Sequence, residues 1–137
     1  MSNEANKAVV RRFNAEVIGT GNRATFEALM DPDFVNRSAP PGAPDGAEGM
    51  WHTFHNVLRP ALHGLAVTIH DQIAEDDKVT TRKTISGTHA GVIMGIAPTG
   101  RAVAIDVIDI VRIKDGRYAE HWGINTLAGV LAQLRQG

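Results

Sequence analysis

The chain contains no cysteine, so disulfides, thiolate catalysis and cysteine-based zinc sites are excluded. No apolar run approaches the roughly 18 residues that a membrane-spanning helix needs. Neither sign of charge dominates: 14 Lys and Arg stand against 15 Asp and Glu, and the cations are scattered rather than gathered into a stripe. A nucleic-acid surface would need such a stripe. The opening residues MSNEANKAVV show neither the basic start nor the apolar stretch of a signal peptide. The expectation is a cytoplasmic protein with no membrane and no nucleic-acid partner.

What is present is ordinary for a folded chain. Its 137 residues are 43% apolar and 21% charged, enough for one domain over 1–137 with a real core. Three amphipathic helices come first. Ala5, Val9, Phe13 and Val17 recur every four residues, which predicts a helix over 3–18 ended by Gly19-Thr20-Gly21. Asn22 is the expected cap of a short helix that Pro32 ends, and an extended segment Asp33–Arg37 follows. After the proline-rich loop Ser38–Asp45, a third helix is expected to start on an Asp45/Glu48 capping box and to kink or end at Pro60.

Beyond Gly64 the pattern changes to strands. Leu65, Val67, Ile69, Asp71 and Ile73 alternate with polar residues, and residues 78–89 are rich in β-branched types. The loop Gly91–Gly100 is unusually apolar, which suggests a pocket lid or a subunit contact. Ala102–Asn125 then reads as a hairpin turning at Asp115-Gly116, since both residues tolerate the positive φ of a type I′ turn. A last helix carries Leu127, Val130, Leu131 and Leu134, with Asn125 or Thr126 as its cap. Helices followed by a run of antiparallel strands predict an α+β fold, a curved sheet closing around helices as a cone with an apolar cavity.

The hairpin carries the chemistry. Asp109 shares the parity of Val103, Ile105, Val107, Val111 and Ile113, while Asp106 lies on the other parity with Ile108 and Ile110. One of the two therefore enters apolar surroundings, where a carboxylate becomes a candidate general base. A β-bulge anywhere in the strand would reverse the choice, so both stay open. His121 follows on the neighbouring strand beside Trp122, and His89 ends another strand between glycines; either imidazole is a candidate proton carrier. Asn36 is a candidate donor to a substrate carbonyl. Trp51, Phe54, Arg82, Met94 and Trp122 are candidate lining residues. His52 and His55 are three apart on a helix, but no third ligand joins them, so no metal site is expected.

Four segments give a resemblance: Ile73–Val79, Gly87–Gly91, Gly95–Arg101 and Asp115–Trp122. In their order and spacing the chain resembles the SnoaL-like polyketide cyclases of the nuclear transport factor 2-like, or cystatin-like, α+β cone superfamily. That superfamily also holds ketosteroid isomerase, scytalone dehydratase and limonene epoxide hydrolase. The resemblance implies intramolecular aldol condensation, or related lyase- or isomerase-type proton transfer, on an apolar carbonyl substrate, with no metal or organic cofactor. It also implies a homodimer. Relatives often carry an Asp before the last helix, where this chain has Ile124-Asn125-Thr126, and a His where it has Asn36-Arg37. Thr84 stands where the epoxide-hydrolase arrangement needs an Asp near Arg82, which disfavours that reaction. The alternatives are a non-catalytic small-molecule binder of the same fold and a purely structural dimerisation domain.

Overall fold

The computed structural model describes residues 2–136. Helix α1 (Asn3–Arg12) is capped by Ser2, whose hydroxyl oxygen accepts from Ala5 N–H at 3.0 Å. It runs on as a π-helical stretch, Phe13–Ile18. Asn22 caps α2 (Arg23–Leu29) as expected, accepting from Thr25 N–H at 3.1 Å. Strand β1 (Met30–Asn36) starts earlier than the sequence suggests and includes Pro32. Its place at the sheet edge tolerates the missing proline N–H.

The third helix departs from expectation at its start. Helix α3 (Ala47–Trp51) is preceded by Gly46 with no side-chain cap. No capping box forms: Glu48 is drawn to Arg23, and the Asp45 carbonyl accepts from Asn36 N–H at 2.7 Å. The helix widens into a π-helical stretch, His52–Leu58, before α4 (Arg59–Ala61). α4 continues the π-helical stretch directly, and the helix ends one residue after Pro60, at Ala61, as expected of a proline.

Strands β2 (Leu62–Glu75), β3 (Lys78–His89), β4 (Ala102–Lys114) and β5 (Arg117–Asn125) precede helix α5 (Leu127–Arg135). The sheet order is β1-β5-β4-β3-β2. Three pairings are antiparallel, but β1 runs parallel to β5, so the curved, unclosed sheet is mixed rather than purely antiparallel. The antiparallel neighbours follow one another along the chain. β1 and β5 are far apart in sequence, so no short connection dictates their direction. At the β4–β5 turn, Asp115 has φ 51° and Gly116 φ 75°, as a type I′ turn requires.

A bulge corrects the expected alternation in β2. Ile69 pairs with Lys83 but Asp71 pairs with Arg82, leaving His70 unmatched. Every side chain beyond it changes face, and Ile73 ends 69% exposed. No such interruption falls between Val103 and Val111 in β4. The helices cover the inner face: Val10, Phe13 and Val17 share one buried core with Val79, Val111 and Ile113, and Phe13 is stacked on Tyr118 at 4.3 Å between ring centroids. Among the described residues no helix is long and apolar enough to cross a membrane.

Candidate active site

A cavity of about 290 Å³ opens between the inner face of β3–β5 and the helix that ends at Pro60, with Phe54, Leu58, Ile85, Ile105, Val107 and Met94 among its apolar walls. Asp109 sits on its inner surface in the middle of β4, facing Thr81 on β3 and Gly123 on β5. The uninterrupted period-2 register of β4 puts it there, only 5% exposed among apolar neighbours.

Two side chains converge on one oxygen of Asp109. Lys83 Nζ lies 3.4 Å from Oδ2 and His121 Nε2 lies 3.2 Å from the same atom. Lys83, 4% exposed, also donates to Asn14 Oδ1 at 2.7 Å. Asn14 is oriented for this by its own amide, which donates to the Val10 carbonyl at 2.9 Å inside the π-helical stretch. The second oxygen, Asp109 Oδ1, is buried without any hydrogen-bond partner. An unpaired buried carboxylate oxygen is expensive, and such atoms concentrate where a ligand completes the site.

His121 is fixed from its far side. Its Nδ1 lies 2.9 Å from Asn36 Oδ1, and Ser38 N–H donates to that same oxygen at 3.1 Å. A backbone N–H only donates, so the Asn36 atom it meets is oxygen, and Nδ1 opposite carries a hydrogen. Nε2 and Asp109 Oδ2 then need one further proton between them. Burial pushes the Asp109 carboxyl up, but Lys83 and His121 on its Oδ2 outweigh this and hold it below the usual carboxylate range. Asp109 is therefore ionised. Burial, with the Asp109 charge behind it, pushes the neighbouring Tyr118 phenol well above its ordinary value, so it stays neutral.

The structure brings together Asp109, His121, Asn36, Phe54 and Met94 at this cavity. It separates the other residues singled out in the sequence. Asp106 lies on the outer face, where it accepts from Thr84 Oγ1 at 2.8 Å. Arg82 faces outward too, bonded to Asp71 at 2.7 Å, and Trp122 lies opposite Ile110 on that same face. A hollow of about 330 Å³ beside Asp106, Arg82 and Ile124 is larger than the inner cavity, but Asp106 and Arg82 are exposed there and already bonded to Thr84 and Asp71. His89 is fully buried away from the cavity; Thr99 N–H donates to its Nδ1 at 3.2 Å, so it closes the 90–101 loop. Trp51 packs on Phe26 and His55, with centroids 5.0 and 4.5 Å apart, behind the cavity wall.

Lys83, Asn14, Ser38, Gly123 and Asn125 escaped the sequence reading. Lys83 was findable: it shares the inward parity of Val79, Thr81 and Ile85 in β3, where a lysine demands a partner. Gly123 matters by having no side chain. A Cβ there would lie 3.0 Å from His121 Cε1 and 3.3 Å from Asp109 Cβ, so only glycine leaves room for the pair.

Fold and site together define an α+β cone protein of the nuclear transport factor 2-like type, with a small-molecule cavity holding a buried carboxylate. The family model of the SnoaL-like polyketide cyclases matches residues 8–134, and the chain belongs to that family. Among solved structures it is similar to TsrD from Streptomyces laurentii, with a TM-score of 0.85 and 28% identity over 98% of this chain and 97% of that one. It is also similar to IdmH from Streptomyces antibioticus, described as a candidate polyketide cyclase, with a TM-score of 0.81 and 29% identity over 95% and 98%. AclR from Streptomyces galilaeus, described as a candidate hydroxylase, shares the fold with a TM-score of 0.85 at 24% identity over 99% and 84%. No curated protein sequence matches the chain.

Proposed function

We propose that the protein is a cyclase-type enzyme that removes an acidic α-proton from an apolar, carbonyl-rich substrate and directs the enolate to an intramolecular aldol condensation. The observation that carries this reading is Asp109, a residue of the cavity wall: one oxygen is anchored by Lys83 and His121, and the other is buried and unpartnered. Oδ1 is the base. The C–H bond of the substrate breaks, its proton passes to Oδ1, and the electron pair moves onto the carbonyl oxygen. The enolate carbon then attacks a second carbonyl, and the alkoxide so formed takes up the proton held on Oδ1, which restores the carboxylate. Lys83 and His121, both on Oδ2, steady the Asp109 charge between these steps. Each of these roles is filled by the chain's own side chains.

The test is incubation with polyketide esters bearing an activated methylene, followed by mass spectrometry. A cyclised product of equal mass, or lighter by one water, supports the reading. A second reading, a non-catalytic carrier of the same class of molecule, draws on the stretch Ile124-Asn125-Thr126, which has no carboxylate where the resemblance leads one to expect an Asp. Tight binding of such esters with no conversion would favour it.

A further inference from the structure

Asn14 is 1% exposed, in a stretch of helix whose other buried residues are the apolar Val10, Phe13, Val17 and Ile18. A leucine there would serve the packing alone. A buried amide is costly unless its hydrogen bonds are made. Asn14 Nδ2 donates to the Val10 carbonyl at 2.9 Å; a carbonyl only accepts, so Oδ1 is the atom turned to the sheet. Oδ1 accepts from Lys83 Nζ at 2.7 Å. Asn14 stands in the π-helical stretch Phe13–Ile18, where Gly19 N–H reaches back five residues to the Asn14 carbonyl at 2.9 Å.

Lys83 has two acceptors and does not divide itself evenly between them. Its ammonium is 2.7 Å from the neutral Asn14 oxygen but 3.4 Å from the charged Asp109 Oδ2. A charge-assisted N–H···O bond ordinarily closes to about 2.7–2.9 Å. The ammonium is thus held back from the carboxylate by roughly half an ångström. The other titratable groups beside Asp109 are His121, at 3.2 Å, and the neutral Tyr118 phenol, both from β5. The charged side chains of the helix are engaged elsewhere: Lys7 pairs with Glu4, Arg12 with Glu16, and Arg11 bonds to Gln72. Among the described residues, Asn14 is the helix side chain hydrogen-bonded to the Lys83–Asp109 pair.

We propose that Asn14 is a positioning residue: it takes the Lys83 ammonium as its near partner and holds that charge off Asp109, which leaves Asp109 ionised yet strong enough to act as a base. This role rests on the reading of Asp109 as the base and adds a residue that acts on it through another. Attraction between opposite charges varies as the inverse of their separation. If Nζ closed on Oδ2 to about 2.8 Å, at an effective dielectric of about 20, the carboxyl would become more acidic by about 0.8 pH unit. A base weakened by that much removes protons about threefold more slowly. A carboxylate in place of the Asn14 amide acts the other way. It takes the ammonium more fully and sets a like charge behind it, which makes Asp109 less acidic.

The experiment compares two substitutions of Asn14 with opposite expected effects, in chains labelled with carbon-13 at the aspartate carboxyls. The Asp109 resonance is the one lost in Asp109→Asn, and its titration is followed by NMR over the pH range in which circular dichroism shows a folded chain. In Asn14→Asp its midpoint should rise by about one pH unit. In Asn14→Leu the carboxyl should still be mostly ionised at the wild-type midpoint. In α-proton exchange of the α-methyl derivative of ethyl acetoacetate, Asn14→Leu should lose about threefold in kcat with KM within about twofold of wild type. A side chain that only packed would not give midpoint shifts of opposite sign. An Asp109 midpoint in Asn14→Asp at or below that of wild type overturns the proposal, and so does a wild-type kcat in Asn14→Leu. If Asn14→Leu does not fold, the midpoint in Asn14→Asp decides alone. Wild-type exchange no faster than buffer, with the midpoint raised in Asn14→Asp, overturns the enolisation reading and leaves the placement of Lys83 by Asn14 standing.

Discussion

Asp109 and Lys83 carry opposite charges with side chains 7% and 4% exposed. Removing one partner of such a pair leaves the other charged and buried, which costs more than the pair itself contributes. Asp109→Asn is therefore expected to lower unfolding stability by about 3 kcal/mol, read from urea denaturation. The pH dependence has a definite sign. The folded carboxyl lies below its unfolded value, so its contribution is present above about pH 4 and is lost as the pH falls through the folded value. The stability gap between wild type and Asp109→Asn should narrow on acidification below about pH 4. A gap that is constant or widens there would contradict the assignment. At Gly123 the constraint is steric. An added Cβ would stand 3.2 Å from His121 Nε2, so Gly123→Ala is expected to cost about 1–2 kcal/mol and to displace the His121–Asp109 contact, visible as a shifted imidazole resonance.

Elements hold these residues in place through close backbone contacts. Gly91, just past β3, packs against the end of the helix, where an added Cβ would lie 2.2 Å from the Pro60 carbonyl oxygen. Gly91→Ala is expected to cost about 2 kcal/mol by thermal unfolding and to loosen the apolar 91–100 loop that brings Met94 to the cavity. An unchanged melting temperature would show that the helix end yields without cost. The elements also show what was legible beforehand. Asp115-Gly116 announced its hairpin because its turn chemistry is local. The facing of Asp109 followed from alternation alone once β4 proved free of bulges. The bulge at His70 was not legible, because nothing in that stretch distinguishes a matched residue from an extra one. The parallel pairing of β1 was hidden for a similar reason: partners remote in sequence leave no turn signature. Asn14, Ser38 and Asn125 were missed because their roles come from contacts across elements, not from their own neighbours.

For the whole molecule, the outer face of the sheet is left uncovered. Ile108 is 45% and Ile124 72% exposed there, beside Trp122, and Ile73 stands farther along the same face. A homodimer through this face is the expected assembly. Light scattering should give twice the chain mass at micromolar concentration, and Ile108→Glu with Ile124→Glu should halve it while the far-ultraviolet circular dichroism stays that of the folded chain; a monomeric wild type would contradict this. The account as a whole turns on whether Asp109 moves protons. The measurement that addresses it most directly is α-proton exchange of the α-methyl derivative of ethyl acetoacetate in deuterium oxide, followed by proton NMR. Wild type should exceed the buffer rate, Asp109→Asn should lose about a hundredfold of that acceleration, and Asp106→Asn should lose none. A wild-type rate equal to buffer, or full activity in Asp109→Asn, would contradict the assignment of Asp109 as the base.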